Sequence, residues 1–139
     1  MSQSSLDRFG AYQKAQQLFD LVATDMAALR SDSRCWRLVS QQVASADSIC
    51  ANIEEGDGRL GRTEFIRFLD IARGSAPETR GRYCRMKHWL AAGVIAQRVA
   101  LADEIIGILP ASINHMRAER GLREAPGSYE TAPCTPCPE

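Results

Sequence analysis

No stretch of this 139-residue chain holds 18 consecutive apolar residues, so no transmembrane helix is expected. The opening "MSQSSLDRFG" lacks the basic patch and following apolar run of an export signal, and a cytoplasmic location is the simplest expectation. Net charge is missing too: 17 Lys+Arg balance 17 Asp+Glu, leaving no global field to draw in nucleic acid or an acidic membrane. Aromatic residues make up only 6%, and only short segments read as strand, which points to helices. Neither histidine, His88 or His115, has a Glu three residues before it, as a di-metal helical bundle would require. A glycine-rich phosphate loop and a Ser/His/Asp arrangement are also lacking. The chain is therefore read as non-enzymatic, with no catalytic residues, no metal site and no cofactor.

Cysteine is present in an odd number, five. Cys35, Cys50 and Cys84 fall within helical patterns and read as small buried hydrophobes in a reducing compartment. Cys134 and Cys137 form a C-x-x-C in a proline-rich setting. One such pair supplies two soft ligands where structural zinc takes four, and a redox dithiol normally sits at a helix N-terminus. The pair reads as an incidental feature of the tail.

What the chain does have is length for one domain and 45% hydrophobic residues, enough to bury a core. Apolar residues recur at helical spacing in four blocks. The first is Tyr12, Ala15, Phe19, Val22, Met26 and Leu29, widened by Leu18 and Leu21. "RSDSR" at 30–34 interrupts it and offers Ser31, Asp32 or Ser33 as an N-cap. The second block is Trp36, Val39, Val43, Ala46, Cys50 and Ile53. The third begins with Phe65, Phe68, Leu69 and Ala72 and resumes with Tyr83, Met86, Trp89 and Leu90. Pro77 between its halves would cost roughly 3 kcal/mol inside a helix, so a kinked single helix is expected. Gly93 marks a short turn before the fourth block, Ile95, Val99, Ala102, Ile105, Ile106, Leu109, Ile113 and Met116, which Pro110 would bend or end early. The expected fold is all-α, an antiparallel up-down-up-down four-helix bundle over residues 1–120, with a mobile tail over 121–139. The breadth of the stripes, notably in helices one and four, leaves apolar flank for a subunit interface and a cyclic oligomer.

"ANIEEGDGR" at 51–59 gathers an amide, three carboxylates, two glycines and an arginine. Gly56 takes the place of a C′ glycine in the left-handed conformation that ends a helix. Arg59 suits the negative end of a helix dipole, whereas Glu54 and Glu55 oppose it. A pairing arginine would resolve that conflict, with Arg59, Arg62 and Arg73 as candidates. Catalysis would need two carboxylates across a cleft with separated pKa values, and adjacent helical residues point about 100° apart. A helix stop with an ion-paired anchor fits better.

Charge is concentrated further on. From Arg59 to Lys87 there are eight basic residues and three acids, a local +5. On a continuous helix Arg62, Arg73, Arg80 and Lys87 would fall within about 40° of one line. Repeated around an oligomer, that line could contact phosphates. The competing reading pairs these arginines with Glu54, Glu55 or neighbouring subunits.

"YQKA" (12–15), "SICANIEEG" (48–56), "GR" (58–59), "EFIRFLDIARGS" (64–75) and Glu78 resemble the four-helix-bundle proteins named for 23S ribosomal RNA intervening sequences. That family includes relatives of the accessory variability determinant of diversity-generating retroelements. The resemblance spans roughly residues 9–118 and makes Asn52, Glu55, Gly56, Arg59 and Gly74 its motif residues. It implies a homopentameric barrel and, in the retroelement branch, a non-enzymatic partner of a reverse transcriptase and its RNA. The chain departs from the family in having Val43 and Ala44 where a basic pair is frequent. It also has Asp47 for an apolar residue, Glu54 for alanine, and Pro77 and Thr79 at helix-forming apolar positions. Two functions follow as expectations: an oligomeric scaffold binding RNA, DNA or a nucleoprotein through Arg62, Arg73, Arg80 and Lys87, or a self-assembling protein-binding module whose arginines serve the assembly.

Overall fold

The computed structural model describes residues 4–119. Four helices account for most of them: α1 (Gly10–Leu29), α2 (Trp36–Asp57), α3 (Arg62–Arg85) and α4 (Ala92–Glu119), with single 3-10 turns at Leu6–Arg8 and Met86–His88. No strand occurs among the described residues. Both α1 and α3 pack on α2 and α4, as a four-helix bundle requires. The expected mobile tail at 121–139, with Cys134 and Cys137, lies outside the described residues.

The core is the apolar stripe of each helix brought to one centre. Leu18 and Val22 of α1, Ile49 and Ile53 of α2, Leu69 and Ala72 of α3, and Ile105 and Leu109 of α4 are all fully buried. Each large aliphatic side chain there contributes about 1.5–3 kcal/mol by leaving water. The centre of the stripe is not always where the 3,4 rhythm places it. In α1 it runs through Leu18, while Phe19 and Leu29 are only half-buried. In α2 Ile49 is buried, Val39 and Val43 lie at the flank, and Trp36 is 63% exposed.

Helix ends depart from expectation in three places. The N-cap of α2 is Cys35, without a side-chain cap, because Asp32 is used otherwise. Its Oδ1 accepts from the Arg34 backbone at 2.9 Å, and the Arg34 guanidinium grips both carboxylate oxygens. These bonds hold the Asp32 carboxyl at about 2. Gly93 is inside α4, and the reversal before it is made by the 3-10 turn at Met86–His88. Finally, α2 runs through Gly56 to Asp57. Gly58, its C-cap, has φ −74° and Gly56 is helical, so neither glycine is left-handed and Gly56 is present for another reason.

Proline does not end either helix that contains it. Arg62–Arg85 is one helix across Pro77, and Ala92–Glu119 is one helix across Pro110. Lys87 lies in the 3-10 turn beyond α3, so the single helical line through Arg62, Arg73, Arg80 and Lys87 stops at Arg80. Cys35 and Cys50 are buried and free. Cys84 is half-buried and disulfide-bonded, unlike the free buried thiol expected of it.

Candidate interaction surfaces

Contacts across the helices define two ends. Phe9 meets Phe65 edge-to-face at 6.4 Å, Arg62 pairs with Glu119, and Gly56 abuts Phe65. The start of α1, the α2–α3 turn and the end of α4 therefore lie together. At the other end Arg82, late in α3, donates to the Gln41 carbonyl early in α2, and Asp25, late in α1, meets Tyr83 of α3 and Arg98 of α4.

At the first end the role of Gly56 is close packing. A Cβ there would sit 2.8 Å from Phe65 Cδ2 and 2.9 Å from Phe68 Cβ, nearer than any side chain tolerates. Glycine lets α3 approach α2 as the turn closes. The two glutamates that oppose the helix dipole diverge. Glu54 accepts from Tyr12 Oη at 2.7 Å, and Glu55 pairs with Arg59 one turn on. The bond to Glu54, then burial, pushes the Tyr12 phenol up to about 12, so Tyr12 is a fixed donor. Arg59 and Arg67 both lie over the Phe68 ring, at 5.3 and 4.7 Å. Together Ala51, Glu54, Glu55, Gly58 and Arg59 line an open groove of about 500 Å³, but each glutamate in it already has a partner. Asn52 donates to the Ser48 carbonyl at 2.7 Å and to its hydroxyl at 3.0 Å.

The candidate phosphate-binding residues do not share one environment. Arg62 pairs with Glu119 of α4, Arg73 with Asp70 one turn earlier, and Arg80 with Asp103 of α4 at 2.6 Å. The Arg80 side chain is only 12% exposed. Lys87 is exposed and has no carboxylate partner among the described residues.

Two polar clusters lie outside the site residues singled out from the sequence. Between α2 and α3, Gln42 Nε2 donates to the Thr79 carbonyl, Ser45 bonds Thr79 at 2.8 Å, and Ser48 bonds Ser75 at 2.9 Å. Arg82 Nη1 reaches into this seam to Gln42 and Ser45, while its buried Nε has no partner. Among α1, α3 and α4, Asp25 accepts from Tyr83 Oη at 2.7 Å and from Arg98 at 3.0 and 3.2 Å. Burial first, then Asp25, holds the Tyr83 phenol above its ordinary range. Asp25 falls seven residues after Leu18, on the apolar stripe itself. A lone acid in that position is the signal that could have revealed it.

Besides Trp36, apolar surface remains in two further places among the described residues. Phe9, Gly107, Ile108, Ala111 and Met116 line a groove of about 680 Å³ between α1 and α4, rimmed by Lys14, Glu104 and His115. Leu60 in the α2–α3 turn is fully exposed, and Ile71 on α3 is 43% exposed. Gly74, one turn beyond Ile71, is exposed with no atom within 4 Å of the position its Cβ would take.

The family profile described as 23S rRNA-intervening sequence protein matches residues 7–105, most of the helical region. The chain belongs to the 23S rRNA-intervening sequence protein family. A crystal structure of a protein of unknown function from the S23 ribosomal protein family of Bacteroides thetaiotaomicron VPI-5482 has a similar fold. Its TM-score is 0.69 at 22% identity, over 74% of this chain and 97% of that one. No curated protein matches. Within the family match, Gly56, Glu55 and Arg59 form the packed turn of α2 and α3, and Gly74 stands free on the outer side of α3. No helix among the described residues is long and apolar enough to cross a membrane.

Proposed function

We propose that this member of the 23S rRNA-intervening sequence protein family is a non-enzymatic, cytoplasmic scaffold that assembles with copies of itself and presents a surface to a nucleic-acid or nucleoprotein partner. Its helices alternate in direction, up-down-up-down. Supporting this, Gln42, Ser48 and Gly56 of α2 meet Thr79, Ser75 and Phe65 of α3 in reversed order. α3 bends at Pro77, which cannot donate to the Arg73 carbonyl, and Ser75 and Thr79 bond back to carbonyls one turn earlier on either side of it.

The observation that carries assembly is the outer side of α3. Glycine within a helix costs about 1 kcal/mol against alanine, and Gly74 has no intrachain neighbour that requires it. With exposed Ile71 a turn away and Leu60 in the adjoining turn, that side suits close approach of a second chain. The cyclic, pentameric form follows from the resemblance to the retroelement accessory proteins, as does a reverse transcriptase as partner. A non-enzymatic role is supported by how the candidate acids are used: Glu54 and Asp25 accept from tyrosines, and Glu55 pairs with Arg59.

The ion pairs of Arg62, Arg73 and Arg80 favour a structural use of the α3 arginines over phosphate contact along that helix. Light scattering of the purified protein should give a mass several times that of one chain. Leu60→Glu with Ile71→Glu should reduce it to the monomer while circular dichroism stays helical. A wild-type protein that remains monomeric at high micromolar concentration would overturn assembly. Reversing Arg62 and Arg80 separates the two uses of arginine: a lost oligomer or fold marks them as structural, and an intact oligomer with lost RNA binding marks them as ligand-binding.

A further inference from the structure

Among the described residues, unpaired positive charge gathers at the end away from the family motif. Residues 30–37 and 82–89, at the end where Arg82 of α3 reaches the Gln41 carbonyl of α2, hold six basic residues (Arg30, Arg34, Arg37, Arg82, Arg85, Lys87) and one acid, Asp32. That is a formal +5 on a chain whose total is zero. Asp32 is already gripped by Arg34, whose side chain nevertheless remains 79% exposed. Arg30, Arg37, Arg85, Lys87 and His88 are exposed as well. The first turns of α2 and α4 contain no acidic residue. At the motif end, by contrast, Arg59, Arg62 and Arg67 each have a carboxylate partner.

A second feature distinguishes this end from a merely cationic surface. Trp36 opens α2 with its side chain outward, 63% exposed, and the Arg37 guanidinium lies 5.6 Å from its ring centre. An exposed indole with an arginine beside it is an arrangement on which an unpaired nucleobase stacks while its phosphates meet nearby cations. Bases within a duplex are stacked on one another and cannot use it.

We infer that this end is a binding site for single-stranded nucleic acid, with Trp36 as the stacking platform and Arg30, Arg37, Arg85 and Lys87 as phosphate contacts. The inference rests on the nucleic-acid-binding scaffold described above and specifies where that scaffold binds and which form it takes. It places the site away from Arg62, Arg73 and Arg80.

Fluorescence anisotropy of the full chain with labelled oligouridine, and with an RNA duplex of the same length, tests it. The single strand should bind more tightly than the duplex, and its affinity should fall linearly on a log–log plot against salt. Trp36→Ala should weaken the single strand about tenfold with unchanged circular dichroism and oligomer mass, and Trp36→Phe should restore most of the loss. Arg85→Glu with Lys87→Glu should lower affinity and flatten the salt dependence, whereas Arg62→Gln should leave both intact. Binding that survives both Trp36→Ala and the Arg85/Lys87 reversal, or that does not distinguish strand from duplex, overturns this site and leaves the general reading standing. No RNA bound even at low salt overturns both.

Discussion

Each end of the bundle is fastened by a tyrosine that donates to a carboxylate at 2.7 Å, Tyr12 to Glu54 and Tyr83 to Asp25. The two bonds do different work because their surroundings differ. Glu54 is exposed and lines an open groove, so water can replace either partner. Asp25 and Tyr83 are buried, and Asp25 accepts from the Arg98 guanidinium as well. There no solvent can take over a lost bond. The same donor and acceptor types thus make a surface latch at the motif end and a core clamp beneath the basic end. The lesson is that the cost of breaking a polar contact is set by what remains unpaired afterwards.

The clamp gives the largest effect. Asp25→Ala leaves Arg98 and the Tyr83 hydroxyl without their acceptor, and removing one partner of a buried pair costs about 3–5 kcal/mol. Urea unfolding should show that loss, and Asp25→Asn, which keeps an acceptor oxygen, should lose less. A loss under 1 kcal/mol for Asp25→Ala would make the two fasteners equivalent and remove the contrast.

Gly56→Ala comes next. Alanine is the better helix former by about 1 kcal/mol, but its Cβ would strike Phe65 and Phe68 at under 3 Å. Overpacking of this kind costs about 1–3 kcal/mol, so the variant should have a lower urea midpoint. A stabilised variant would show that the motif end can separate its helices freely and that the close approach is dispensable.

Tyr12→Phe is the mildest, about 0.5–1.5 kcal/mol. The latch also has a pH signature. The folded protein holds the Tyr12 proton up to about 12 against 10.0 for an ordinary phenol, so between these values the native state binds more protons than the unfolded one. Stability from this group is complete below pH 10 and is lost as pH rises toward 12. Thermal melts across that range should fall less steeply in Tyr12→Phe than in the wild type. Identical slopes would remove the latch.

The four helices, and the survival of α3 across Pro77 as one helix, were legible in the sequence because apolar spacing is a local property of the chain. So was the surface pair of Glu55 with Arg59, formed within one turn, whereas Arg73, also a candidate partner for these glutamates, pairs with Asp70. Less legible were the helix ends. Asp32 looks like an N-cap, but its carboxylate is held by Arg34. Gly56 looks like a left-handed stop, but it is a helical residue against which two phenylalanines pack.

By itself, then, the sequence determined the all-α class, the number and rough extent of the helices, and the family signature at 48–75. Each of these depends on residues a few positions apart. The tertiary structure alone decided which part of each stripe is central, burying Leu18 and Gln42 while leaving Trp36 outside. It also decided which charges meet: Asp25 finds Tyr83 across 58 residues of sequence, and Arg62 finds Glu119 across 57. Helical period leaves a band of orientations open, and only the packing of neighbouring helices selects one. Packing thereby gives Arg62 and Arg80 carboxylate partners on α4, while Arg37 lies exposed beside Trp36.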